Sequence, residues 1–516
     1  MAVDSSANST GMRPTLGLTG VTVNAMALIA PGAFLWITLQ VQSAQTVAGG
    51  SASTALDMWP GIVFALILAF MTALSYSELA RIYPEAGTGS CYYFAEKAFV
   101  DKTEVKHHRW ARLAKLVTGW AAHLFYWVYP GVMVAFMAVL ISYILGQFGL
   151  DVGVPAQMVI AVLFAIGVGL IALRGVNGST MTALVINVVQ LVALVGFSAL
   201  AIWYRIANPD KAQFVHPSAG SVIFPHDLLN TLMQATIAIL ILVGFESCTA
   251  FGAEAKNARR DVPRAVIIAL VIQGLFAYLI EYFAANFAIS DKLTGTAADG
   301  TAVTAYDAAA ASSAPMGDLI QLIGNSLGGI GFGLMVVISI TVALAILGTT
   351  LSAMNTGVRI TFAMAQDKEM PEPLGLLHTS YVTPHMAVYA MVVVSAIIGV
   401  IGVISVVTLT GITLASNFGT FVLYALTCLW AIIAFASRPD FNWFKHLVIP
   451  GLGLLANLVM LATILGLGVV GGGDSQTESL MAIGFAAVWA VLSAIYVVVS
   501  NRRTGRSLVS QPRAVA

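Results

Sequence analysis

The stretch 240–264, LILVGFESCTAFGAEAKNARRDVPR, begins as a membrane helix and stops being one part-way along. The segment is apolar from Leu228, is interrupted by Gly244-Phe245-Glu246-Ser247, resumes, and leaves the apolar phase through Glu254, Lys256, Asn257, Arg259, Arg260, Asp261 and Pro263. In hydrocarbon an unpaired backbone N–H or C=O is heavily penalised, so irregular backbone survives at that depth only where it lines a cavity or binds something. A charged side chain at the bilayer centre costs about 2.5 to 3.5 kcal/mol even on the lenient insertion scale, so Glu246 is expected to face the protein interior and to have a partner. Val243, Gly244, Phe245, Glu246 and Ser247 are therefore candidate binding residues.

The rest of the composition fits a membrane setting. Of 516 residues, 59% are hydrophobic and 9% charged, with a mean hydropathy of +0.89; a soluble domain carries about 25% charged residues. The formal charge is zero, from 24 basic and 24 acidic residues, and nothing in it points to nucleic acid. Cys91, Cys248 and Cys428 all sit in or beside apolar segments and form no disulfide framework. The chain has no HExxH, no GxSxG and no paired intramembrane aspartates, so neither an enzyme, nor a resident metal, nor a cofactor is expected. The first 15 residues are polar and lack a basic, then apolar leader pattern, so no cleaved signal is expected.

Runs long enough to cross roughly 30 Å of hydrocarbon fall at Leu16 to Leu39, Trp59 to Ile82, Gly119 to Leu145, Ala156 to Leu173, Thr182 to Trp203, Leu228 to Phe251, Ala265 to Ile289, Leu327 to Met354, Met386 to Ile404, Leu409 to Phe435, Leu447 to Val469 and Leu480 to Ser500. These are twelve spans. Basic residues gather on one side of them, notably between Arg81 and Lys115, Lys256 and Arg264, and Arg502 and Arg513; the other side has only Arg205, Lys211 and Lys292. That asymmetry places both termini in the cytoplasm. The longest outer connection, Ser290 to Asn325, has an alanine run and a Pro315-Met316-Gly317 turn, and reads as a short helix able to act as a lid.

The first span carries Ala30-Pro31-Gly32-Ala33 near its middle. Pro31 has no N–H and clashes with the carbonyl four residues back, and Gly32 tolerates conformations other residues avoid. A second interruption inside an apolar span meets the same solvation argument as the first, which adds Ile29, Ala30, Pro31, Gly32 and Ala33 to the candidates. Three further polar residues lie within or at the ends of spans: His123 among the aromatics of GWAAHLFYWVYPGVMVAF, Glu281 alone in an apolar run, and Glu78 beside Arg81 and Glu85. The simplest reading of His123 is a structural hydrogen bond and of Glu78 a helix-end ion pair. The basic loop Asp101 to Lys115, with His107-His108, reads as solvated and headgroup-facing.

The run GFES…AEAKNARRDVPRA resembles the sixth helix and following loop of the amino acid-polyamine-organocation transporter superfamily. SYSELARIYPEAGTGS at the end of the second span is similar to that superfamily's Tyr-x-Glu-Leu-Ala…Pro-x-Ala-Gly-Gly signature, with Thr88 inserted, and ILGTTLSAMNTGVRITFAMAQDKEMPEP resembles its passage out of helix 8. The resemblance implies an all-α membrane protein of twelve transmembrane helices: a five-plus-five inverted repeat of the leucine-transporter-like fold (16–204 and 228–435), two accessory helices (446–500), and tails at 1–15 and 501–516. It implies no enzyme activity, but a secondary transporter of an amino acid or related amine. Two departures stand out. The first span has Ala-Pro-Gly where the superfamily has a Gly-x-Gly break, and Gln190 falls where many proton-coupled members carry a lysine, leaving Glu281 as the coupling or amine-binding candidate. Thr349, Thr350 and Ser352 offer hydroxyls for sodium, although such groups usually bond their own helix.

By that resemblance, the broken halves present N–H groups to a substrate carboxylate, carbonyls at Ile29 to Pro31 and Ala238 to Gly244 receive an ammonium, Phe245 covers the substrate, and Glu246 orients the break or meets a cation. Glu78 is a gating candidate. The expected partners are a small amino acid or amine and the lipid bilayer, in the cell membrane, as a monomer or homo-oligomer. The loop GLDVGVPAQ has no cysteine for a disulfide-linked heavy chain. The other reading left open is an amino-acid-binding sensor without net transport; such proteins carry a soluble tail, and the segment past Ser500 is short.

Overall fold

The computed structural model describes residues 15–29, 33–47, 52–174, 179–381 and 383–509. They are almost wholly helical, with a single two-stranded hairpin, Thr294–Thr296 paired to Ala302–Thr304. Eleven helices among the described residues are long and apolar enough to cross a membrane. The first span comes as two helices, Leu18–Ile29 and Ala33–Ala44, of 12 residues each. Twelve residues rise about 18 Å, short of the hydrocarbon thickness, so the two together make the twelfth crossing. Ala30, Pro31 and Gly32 lie outside the described residues.

The third span is the central post. It runs Ala111–Gln147, 37 residues, and starts well before the expected Gly119. The reason is that its first turns are amphipathic: Arg112 makes a two-pronged pair with Glu369 (2.7 and 3.0 Å), and Lys115 bonds Glu96 and Asp367 at 2.9 Å each. The segment read as a solvated loop is thus largely helix, since Val105–His108 is helical too. Small residues let neighbours close on this post: a Cβ on Gly131 would stand 2.5 Å from Ile398, and one on Gly419 only 2.7 Å from the Phe125 nitrogen. The fourth, fifth, eighth and twelfth spans instead expose apolar side chains such as Val192, Val195, Leu163 and Val337, the face a lipid-solvated bundle requires.

At the end carrying the termini, the chain entering the first span pairs with the chain leaving the sixth. Thr15 and Leu16 donate to the Glu254 carbonyl at 2.9 Å, and Lys256 donates back to Leu16 at 2.8 Å. Arg359 of the eighth span closes on the Glu254 carboxylate at 2.6 Å and lies over the Phe251 ring. Arg112 also donates to Asn501 and to the Ser507 carbonyl, tying the C-terminal segment to the same end.

At the opposite end the connection 290–325 holds the hairpin and two helices, Ala305–Ala311 and Pro315–Ser326, more structure than the single short helix expected. Tyr143 anchors it through Asp318 (2.8 Å), and Tyr306 donates to Asn286 while accepting from His216 (3.1 Å). The other ring nitrogen of His216 meets Ser221 Oγ at 3.1 Å, so these partners suit a neutral imidazole, and burial pushes His216 down to about 4. An unfolded histidine titrates near about 6.5. The contribution of His216 is therefore full above that pH and is lost as pH falls toward 4. Amide exchange across 290–325 should accelerate between pH 7 and pH 5, after correction for intrinsic rates, and His216→Asn should erase that dependence.

Candidate functional site

The sixth span loses its α-helical ladder where expected, but not in the expected way. Leu228–Ala238 is α-helix, Ile239–Ile241 tightens to a 3₁₀ turn, and Leu242–Gly244 is a turn, with Gly244 at φ +125°. The chain then continues as ten residues of 3₁₀-helix, Phe245–Glu254, rather than resuming α; such runs rarely exceed three or four residues. Ser247, Cys248 and Thr249 each turn a side chain back onto the carbonyl three residues earlier, at 2.6, 3.1 and 2.6 Å. Local hydroxyl bonds compete with the α ladder and favour this tighter winding.

Glu246 holds the break. It is 1% exposed, and its carboxylate accepts from the Gly244 N–H (2.9 Å), from Tyr424 (2.8 Å) and from Tyr126 (3.0 Å). The two tyrosines come from the tenth and third spans, so one side chain fixes the turn and pins it to two other helices. Phe245 is fully buried and packs edge-on against Tyr76 and tilted against Tyr424.

The end of Leu18–Ile29 meets this turn. A Cβ on Gly244 would lie 2.8 to 2.9 Å from Ile29 N, Leu28 C and Leu28 Cβ. The last four carbonyls of a helix lack partners within it, and here side chains from other spans supply them. Tyr278 donates to Ile29 (2.9 Å) and Thr349 to Ala27 (3.1 Å), with longer contacts from Tyr129 to Leu28 (3.5 Å) and Gln273 to Met26 (3.4 Å). The break in the sixth span and the end of Leu18–Ile29 are thus tied by side chains converging from the third, seventh, eighth and tenth spans.

Of the residues singled out from the sequence, Ile29, Val243, Gly244, Phe245, Glu246 and Ser247 come together here. Ala30, Pro31 and Gly32 fall outside the described residues, as does the Ala33 side chain. The Gly244 carbonyl accepts both Ser247 N–H (3.0 Å) and Ser247 Oγ (2.6 Å), which fills its two lone pairs; Ile29 O accepts from Tyr278. His123 is elsewhere, between the Gly119 carbonyl (2.7 Å) and Thr361 (2.9 Å). Glu78 pairs with Arg81 and His446 at the terminal end. Thr350 bonds its own helix at Ile346. Gln190 and Glu281 line a separate small cavity. Among the described residues no cluster could hold a metal ion.

The sequence reading missed Tyr126, Tyr424 and Tyr278. A tyrosine deep in a span needs a partner for its hydroxyl, and that signal was hidden for Tyr126 by the aromatic run around it.

The amino acid permease family profile matches residues 15–495. The chain belongs to that family. It is similar to a low-affinity putrescine importer of Escherichia coli K12, 24% identical over 94% of this chain and 93% of the importer. It also resembles a branched-chain amino acid permease of Lactococcus lactis (24% identical, 66% of this chain and 68% of the relative) and a probable agmatine/putrescine antiporter of the same species (28%, 46% of each). This permease is accordingly a multi-pass membrane transporter of amino acids or amines, not an enzyme.

The Arg359–Glu254 pair joins the eighth span to the end of the sixth at 2.6 Å. If that pair closes the terminal side of the site, Arg359→Ala should speed alkylation of the buried Cys248 by about tenfold, equivalent to about 1.4 kcal/mol; an unchanged rate would show that it does not.

Proposed function

We propose that this permease is a secondary active transporter that carries an amino acid or related amine by alternating access, with the substrate held where the first and sixth spans are interrupted. One observation carries this reading: Gly244, at the interruption of the sixth span, lies directly against Leu28 and Ile29, where the first helix ends. Half-helix N-termini beginning at Ala33 and Phe245 attract a carboxylate through their dipoles. The Ile29 carbonyl, held by Tyr278, also accepts an ammonium, Phe245 covers the bound molecule, and Glu246 keeps the turn in shape. Residues 16–204 and 228–435 form the two repeats, 446–500 an accessory pair, and spans 1, 2, 6 and 7 rock against 3, 4, 8 and 9. The concentration of basic residues at the terminal end supports a cell-membrane protein with the 1–15 and 501–516 tails in the cytoplasm.

The test is counterflow in proteoliposomes with putrescine, agmatine, leucine, isoleucine and methionine as labelled substrates. Exchange of at least one is expected; exchange of none, nor of any other amino acid or polyamine, would sink the reading. A substrate at a hundred times its dissociation constant should also add about 2.7 kcal/mol of stability.

A further inference from the structure

The cavity beside the break has an unusual wall. It lies among the second half of the first span, the fifth, seventh and eighth spans, and the helix Pro315–Ser326, and its free volume of about 20 Å³ holds one water-sized group. Most of its lining is apolar, but Trp36, Gln190 and Glu281 also face it, each 3% exposed. Glu281 Oε2, Gln190 Oε1 and Trp36 Nε1 have no hydrogen-bond partner among the described residues. Two buried oxygens with no donor, beside one donor with no acceptor, are a costly combination. The space would fit one water able to accept from the indole and donate to the amide. A proton on Glu281 removes the lone charge from the apolar wall.

We propose that Glu281, Gln190 and Trp36 form a proton-binding site, distinct from the substrate site, through which transport is coupled to a pH gradient. In each cycle the Glu281 carboxylate takes one proton from a hydronium ion on one side of the membrane and returns it to water on the other, with no other bond made or broken. The position supplies the link to substrate. Glu281 is three residues, about 4.5 Å of helical rise, beyond Tyr278, whose hydroxyl holds the Ile29 carbonyl; Trp36 belongs to the second helix of the first span. The charge state of one carboxyl therefore bears on both halves of the first span. Among the described residues no other charged group lines the cavity. Tyr278 and Tyr282 of its own helix are its titratable neighbours, Asp318 on the outer helix is held by Tyr143 and Ser312, and Asp57 before the second span is held by the His226 and Asp227 N–H groups.

This inference rests on the transport reading above, and the experiment separates the two. Proteoliposomes are assayed for exchange at equal pH and for accumulation driven by an imposed pH gradient of either sign. Wild type should exchange, and one polarity should raise accumulation at least tenfold. Glu281→Gln, which mimics the protonated carboxyl, should keep exchange at equal pH and lose the response to the gradient. Gln190→Leu, which removes the amide facing the carboxyl, should shift the pH midpoint of accumulation by about one unit. Absence of exchange in wild type would overturn the transport reading itself. Exchange without any gradient response in wild type, a full response in Glu281→Gln, or an unmoved midpoint in Gln190→Leu would each overturn the proton site. Should Glu281→Gln fail to fold, the Gln190→Leu midpoint decides.

Discussion

Gly244→Ala is expected to abolish substrate exchange and to lower the stability of the folded protein by about 3 kcal/mol, since it combines a strained backbone with overpacking. Its φ of +125° is a conformation that side chains rarely adopt, and the added methyl would sit 2.8 Å from Ile29 N with backbone, not a flexible side chain, in the way. Relief requires the Gly244 turn and the Leu28–Ile29 backbone to move apart, and these are the groups to which the proposed substrate site is assigned. Melting in detergent and counterflow in liposomes measure the two effects separately. A variant that melts lower yet exchanges normally would show that the turn matters for folding alone, and the assignment of the site would fall.

Glu246 has the second large effect. Glu246→Ala leaves the Gly244 N–H and the Tyr126 and Tyr424 hydroxyls without their acceptor in a fully buried place. Orphaned donors cost about 1 to 3 kcal/mol each, so a loss of about 4 kcal/mol is expected, with no exchange remaining. Glu246→Gln keeps the size but offers one accepting oxygen where two are used, and should lose about half as much. Tyr424→Phe removes a single bond, and about 1 kcal/mol is expected. The ordering Ala, Gln, then Tyr424→Phe is the prediction; equal melting temperatures for all three would refute it.

The sequence made the spans, and the place where the sixth is interrupted, legible for a simple reason: apolar length and a lone acid in hydrocarbon have few physical solutions. That Glu246 needed partners could be argued; that they would be Tyr126 and Tyr424 could not, because both lie far away in the chain and their meeting depends on how the third and tenth spans pack. The winding after Gly244 was unreadable for a different reason. Ser247, Cys248 and Thr249 fit an α-helix as well as a 3₁₀ one, and only the turns of their side chains onto local carbonyls decide between them. The segment around Arg112 and Lys115 was taken for loop because it is charged, whereas its charges face Glu369, Glu96 and Asp367 and so permit a helix. Gln190 and Glu281 were singled out separately, and only the packing of the fifth against the seventh span set them around one cavity.

The tight winding of Phe245–Glu254 has a dimensional consequence. Ten residues advance about 20 Å as 3₁₀ but only about 15 Å as α. Rewinding that half of the sixth span would draw Glu254, with its grip on the entry to the first span, some 5 Å toward Gly244, a stroke of roughly one α-helical pitch. The winding of this segment thus sets how far the Gly244 turn stands from the backbone pairing at Glu254.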